Sequence, residues 1–225
     1  MERNVASIVR GPRIDHEEVR PRSRDEAAMF LAAARAHRLS ALFAGGVAVG
    51  PRRGELLALA WDDVDLDGGI LRVRRTVQRL RGQGLVFGPP KSTDRVGASR
   101  LPDSACAALL SHRQRQDVER LTAGDSWQES GLVFTTSVGT VVEPRNLSRT
   151  FEHLVQQSGV RRIRFHDLRH TCASLLLAQG VPAPCGVGRV GPAQLSITMD
   201  LYSHVMPSAL RDAADAMDRA LGGRR

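Results

Sequence analysis

Aromatic residues are scarce in this chain: one tyrosine, two tryptophans and six phenylalanines, 4% of 225 residues. That scarcity argues against a β-rich sandwich and against a single-strand binder lined with stacking rings. The three cysteines, Cys106, Cys172 and Cys185, are far apart and odd in number. They form neither a zinc spacing nor a disulfide framework, and point to reduced intracellular thiols. Long apolar runs are also missing. Leu39 to Val49 is the most apolar stretch, too short and too interrupted by glycine to cross a bilayer. No signal peptide follows Met1. A cytoplasmic protein without a membrane partner is expected.

The last scarcity is lysine. Lys91 is the only one, so 31 of the 32 basic residues are arginine. A guanidinium stays protonated near neutral pH, whereas an ammonium can give up its proton. A single lysine in such a background asks whether a transferable proton is needed there; chance survival is the rival reading. What is abundant is positive charge, +8 formally, on a chain with 42% hydrophobic residues, enough for a sizeable core. Such a balance suits duplex nucleic acid, bound through phosphate contacts and counterion release. Arginine-rich codon usage in a GC-rich genome would give the same totals, so charge alone leaves both readings open.

Residues 1–22, rich in arginine and proline, read as a linker. Ser23-Arg24-Asp25-Glu26 is a capping box that opens a helix to about His37. Leu39 to Val49 ends at Gly50-Pro51, and Arg53 to Leu59 predicts a short helix. Asp62 to Gly69 reads as a turn cluster. An alternating strand from Leu71 to Val77 follows, then strands at Leu85–Phe87 and Ser99–Leu101. Together they predict a small antiparallel sheet with Lys91 at a turn. The remainder is helical: from a cap at Asp103 or Ser104 to about Leu121, around Leu147–Val155, around Leu168–Leu176, and in two stripes beyond Ile197.

His166-Asp167-Leu168-Arg169-His170 carries the first chemical signal. On a helix His166 and Arg169 share a face, and an imidazole beside a guanidinium suits a phosphate. A metal pair at His166 and His170 is the rival. It would need further ligands and a glutamate after the first histidine, where Asp167 stands. Other segments speak to the same chemistry. Gly50-Pro51-Arg52-Arg53-Gly54-Glu55-Leu56-Leu57, Pro90-Lys91-Ser92, Phe165 to Ser174, and Thr198-Met199-Asp200-Leu201-Tyr202-Ser203-His204-Val205 occur in that order.

These four segments resemble the boxes of the tyrosine recombinase (phage integrase) family, over about residues 4 to 221. The resemblance implies a mainly α catalytic domain with a small antiparallel β-sheet at residues 23–221. Residues 1–22 would be the exit of an N-terminal DNA-binding domain and 222–225 a tail. It implies site-specific recombination of mobile DNA through a 3′-phosphotyrosyl intermediate, without cofactor or metal, on duplex DNA and in a tetrameric synapse. Arg52 and Arg169 would clamp the scissile phosphate and stabilise its transition state. Tyr202 would be the nucleophile, His166 its base or hydrogen-bonding partner, and Lys91 the acid for the 5′-oxygen. Glu55 would buttress the arginines, Arg53 would face solvent or DNA, and His170 and His204 would play supporting parts.

Three departures accompany the likeness. Val190-Gly191-Pro192 stands where the family carries Leu-Gly-His, and proline has no side-chain donor. Losing one such phosphate contact costs about tenfold to a thousandfold in rate, by analogy with single oxyanion donors. Pro184, Gly186 and Gly188 oppose a helix that the family has there, and Pro51 replaces an aliphatic residue. The second reading is therefore a truncated, non-catalytic DNA-binding or assembly remnant. A relaxase of the type IB topoisomerase kind is a third, less suited to the Pro-Lys-Ser and His-Asp-Leu-Arg-His wording.

Overall fold

The computed structural model describes residues 23–90 and 98–179. The capping box is formed as expected: Ser23 Oγ accepts from the Glu26 amide at 3.2 Å, and the Glu26 carboxylate accepts from the Ser23 amide at 2.9 Å. It opens α1 (Arg24–Ala34), which stops three residues before His37. There the His37 ring accepts from the Leu39 amide instead, turning the chain into α2 (Ser40–Val49). Gly50 ends α2 in the left-handed region, φ 66° and ψ 38°, a conformation open to glycine at little cost. Then α3 (Arg53–Leu57) begins with Arg52 as its N-terminal flank.

Of the turn cluster expected at Asp62 to Gly69, residues 66–69 do form a turn, and before it Trp61–Asp63 forms a 3-10 turn followed by β1 (Val64–Asp65). The predicted strand from Leu71 to Val77 is split. β2 (Ile70–Arg72) pairs antiparallel with β1 and with β5 (Ala98–Arg100), whereas β3 (Thr76–Leu80) forms a separate hairpin with β4 (Gly84–Gly88). At the break, residues 73–75, the buried Asp63 carboxylate lies 3.3 Å from Arg74 and 3.8 Å from Arg75. Two small sheets replace the single one predicted. Gly54 fastens α3 onto β3, because a Cβ there would stand 2.5 Å from both the Val77 carbonyl and Thr76 Oγ1.

α4 (Asp103–Ala123) starts one residue earlier than its expected caps, with Pro102 as flank and Asp103 inside the first turn. It is tied to the following loop by a buried polar set. His112 Nε2 lies 2.7 Å from the Val133 carbonyl, and the Gln116 amide donates to Leu132, Val133 and Thr135. α5 (Pro144–Gln157) buries Leu147, Phe151, Leu154 and Val155, the stripe that its spacing predicts. α6 (Asp167–Ala178) packs against α2.

One apolar core joins these elements. At its centre Phe30, Phe43, Phe151 and Phe165 meet edge-on or tilted, with centroids 5.2–6.4 Å apart. Each such ring pair contributes about 0.5–1.5 kcal/mol beyond burial of its area. Phe165 comes immediately before His166, so the aromatic cluster sets where α6 begins. Among the described residues, no helix is long and apolar enough to cross a membrane.

Candidate active site

Three of the five residues singled out for chemistry lie within the described structure: Arg52, His166 and Arg169. Lys91 and Tyr202 lie outside it, as do Pro192 and the Pro/Gly-rich segment before it.

Arg52 flanks the N-terminus of α3. Its amide donates to the Glu55 carboxylate at 2.7 Å, and its guanidinium lies 3.6 Å from the same group. Glu55 is 5% exposed, so its charge acts on Arg52 with little screening by solvent. Expected as a buttress, Glu55 is one for Arg52. Nη1 of Arg52 is buried and makes no hydrogen bond. It faces Glu55 Oε1 at 3.6 Å, an ion pair longer than a hydrogen bond. Arg53 points elsewhere, exposed and donating to Ser148 Oγ at 2.7 Å, in keeping with its expected surface role.

Arg169 arrives from the far end of the domain, on the first turn of α6. The Asp167 carboxylate accepts from the Arg164 amide at 2.8 Å and closes that turn, while Arg169 N donates to the His166 carbonyl at 3.1 Å. Thus His166 sits just before the helix, not within it, and still shares a turn with Arg169. The Arg169 guanidinium is buried and donates through Nη1 to the Gly50 carbonyl at 2.6 Å. Gly50 is two residues from Arg52. That bond joins the Arg169 guanidinium to the turn leading into Arg52, although 117 positions separate the two arginines in sequence.

The charges meet at His166. Its pKa is lowered from the ordinary 6.5 first by partial burial, then by His170, Arg169 and Arg52, with Asp167 opposing. The ring is therefore neutral at pH 7, as a proton acceptor must be. His170 stands edge-on to it, centroids 5.5 Å apart, and is lowered mainly by burial as well. Cys172, on the buried side of α6, is pushed up to about 12 by burial and remains an inert thiol. Among the described residues no three metal-ligating side chains are grouped to hold an ion.

Four histidines, His37, His112, His166 and His170, have folded pKa values below 6.5. Each binds its proton more readily when unfolded, so its stabilisation is fully present above pH 6.5 and is lost as the pH falls from there. Thermal unfolding of the DNA-free protein is expected to shift to lower temperature between pH 7 and pH 5. A midpoint that holds steady or rises across that window would contradict the buried-neutral assignment.

The phage integrase family pattern matches residues 23–208, most of the chain. The protein belongs to that family. A XerC-like tyrosine recombinase from Caldanaerobacter subterraneus subsp. tengcongensis is 32% identical over 212 residues, spanning 89% of this chain and 54% of that protein. An integrase from Saccharopolyspora erythraea is 27% identical over 275 residues, spanning 99% of this chain and 62% of that one. The chain thus covers little more than half the length of these curated relatives. In fold it is similar to the Tn1549 transposon integrase solved with transposon right-end DNA: TM-score 0.75, 16% identity, 99% of this chain and 71% of that one. The mainly α architecture with small antiparallel sheets is therefore the phage integrase catalytic fold.

Two contacts in this candidate site do not announce themselves in the sequence. Gly50 serves through its backbone oxygen, which no residue type encodes. Asp167 acts as a local helix-start group inside a pentapeptide that draws attention to its histidines and arginine. The Gly-Pro pair before Arg52 was the available signal, since it demands an unusual turn there.

Proposed function

We propose that residues 23–221 form the catalytic domain of a site-specific DNA recombinase that integrates or excises mobile DNA. The observation that carries this reading is the convergence of Arg52, Arg169 and a neutral His166, two guanidinium groups and a base at one spot. Such a set fits a phosphodiester: the arginines hold the non-bridging oxygens and stabilise charge that develops on them.

In this reading Tyr202 Oη attacks phosphorus and gives up its proton to His166. The P–O5′ bond breaks, Lys91 protonates the departing 5′-oxygen, and a 3′-phosphotyrosyl bond forms. Attack by a 5′-hydroxyl from another strand reverses the step and rejoins DNA. One phosphodiester is exchanged for another, so no external energy source is needed. Duplex DNA is the partner, the assembly is a tetrameric synapse, and the compartment is the cytoplasm.

The second reading, a DNA-binding or assembly remnant without cleavage, is favoured by Pro192 and by Pro184, Gly186 and Gly188 before it. Restoring the donor with Pro192→His separates the two. A recombinase one contact short is expected to gain about tenfold to a thousandfold in yield of covalent adduct on nicked duplex. No adduct in either protein would favour the remnant.

A further inference from the structure

Gly50 occupies a position with three unusual properties at once. Its φ of 66° lies in the left-handed region. It precedes a proline, which pushes ordinary residues at that position toward extended backbone. Its carbonyl accepts a 2.6 Å hydrogen bond from the buried Arg169 guanidinium. A non-glycine residue is disfavoured there by both the left-handed φ and the following ring.

The surroundings make the contact directional. α2 and α6 approach closely at Gly46, where an added Cβ would stand 3.3 Å from Leu168 Cδ1. Leu168 is the neighbour of Arg169 and is itself fully buried. The helix that ends at Gly50 therefore seats the helix that carries Arg169, and the turn after it delivers Arg52 at the start of α3. A rotated Gly50 carbonyl would leave Arg169 with one hydrogen bond fewer and swing the entry to Arg52 in the same movement.

We propose that the Gly50 carbonyl is a positioning group for Arg169, so that the left-handed turn at Gly50-Pro51 sets both arginines of the clamp together. This rests on reading Arg52 and Arg169 as a phosphate clamp. It adds that the turn, besides the side chains, determines whether their donors face one anion.

Guanidinium nitrogen NMR on the chain with Gly50→Ala and Gly50→Asn tests it. In the unsubstituted protein, Arg169 is expected to show separate Nη1 and Nη2 signals, because its bond to Gly50 slows rotation. A single averaged signal overturns the proposal before any variant is made. In Gly50→Ala the Arg169 nitrogen protons are expected to exchange about tenfold faster, the effect of losing one charge-assisted hydrogen bond. Gly50→Asn is expected to do less harm than Ala, since Asn tolerates the left-handed region better although it is larger. Arg38, locked onto Glu119 and the Thr135 carbonyl, should stay unchanged and so separates a local effect from general loosening. Unchanged Arg169 exchange in Gly50→Ala, or greater damage from Asn than from Ala, overturns the role of the turn. Inorganic phosphate tests the underlying clamp separately. If it moves no Arg52 or Arg169 signal in the unsubstituted protein, the phosphodiester reading fails. If it binds there and equally well in Gly50→Ala, only the positioning role fails.

Discussion

Arg169→Ala is expected to lose strand cleavage by about a hundredfold to a thousandfold, the scale of one transition-state donor. The same substitution should lower stability, because Arg169 is buried and its partner, the Gly50 carbonyl, would be left without this donor. An orphaned buried polar group costs about 1–3 kcal/mol. In a domain of this size that is a fall in Tm of roughly 2–4 °C for each kcal/mol. Arg52→Ala should lose cleavage as well, and stability by another route, because the buried Glu55 carboxylate would lose this ion pair. Single-turnover cleavage beside thermal unfolding checks the pair. Cleavage retained within twofold in Arg169→Ala would remove it from the clamp.

Lys91→Arg is expected to be at least as damaging to cleavage, for a different reason. The substitution keeps the charge and so should leave duplex affinity and its salt dependence almost unchanged. It removes the transferable proton, and general acid catalysis contributes about a hundredfold to ten-thousandfold. A duplex with sulfur in place of the 5′-bridging oxygen should restore most of the rate, because a thiolate leaves without being protonated. Rescue by sulfur in Lys91→Arg but not in Arg169→Ala would separate acid from clamp. Equal loss on both substrates would show that Lys91 acts by position and not as the acid.

The sequence carried the fold where its signals were local and strong. The Ser23 capping box, the α5 stripe of Leu147, Phe151, Leu154 and Val155, and the Gly-Pro stop after α2 all stand where they were expected. It was silent where tertiary contacts decide. The alternation from Leu71 to Val77 suggests one strand. In the fold the strand is divided between two sheets, and the residues at the break, Arg74 and Arg75, pair with buried Asp63, eight residues before Leu71. Asp103 has a capping residue's chemistry, but Pro102, already extended at φ −67° and ψ 154°, takes the flanking position.

The site divides in the same way. Arg52, His166 and Arg169 were legible because each sits in a short run with recognisable wording. That Arg169 and Arg52 both act on His166 is a property of the fold, and the Gly50 carbonyl that accepts from Arg169 is a contact which the residue type does not encode. Lys91 and Tyr202 rest on sequence alone: a solitary lysine and a solitary tyrosine, each within its box, outside the described residues.

The most direct measurement is chemical mapping of the covalent intermediate. Nicked duplexes with randomised sequence around the nick remove the need to know the target site. Protein trapped on them in SDS can be digested and the phosphonucleotide located by mass spectrometry. One modified peptide is expected, carrying its phosphate on Tyr202, absent from Tyr202→Phe and from the Arg52→Ala/Arg169→Ala double variant. An adduct on any other residue, or one that forms undiminished in either variant, would contradict that assignment.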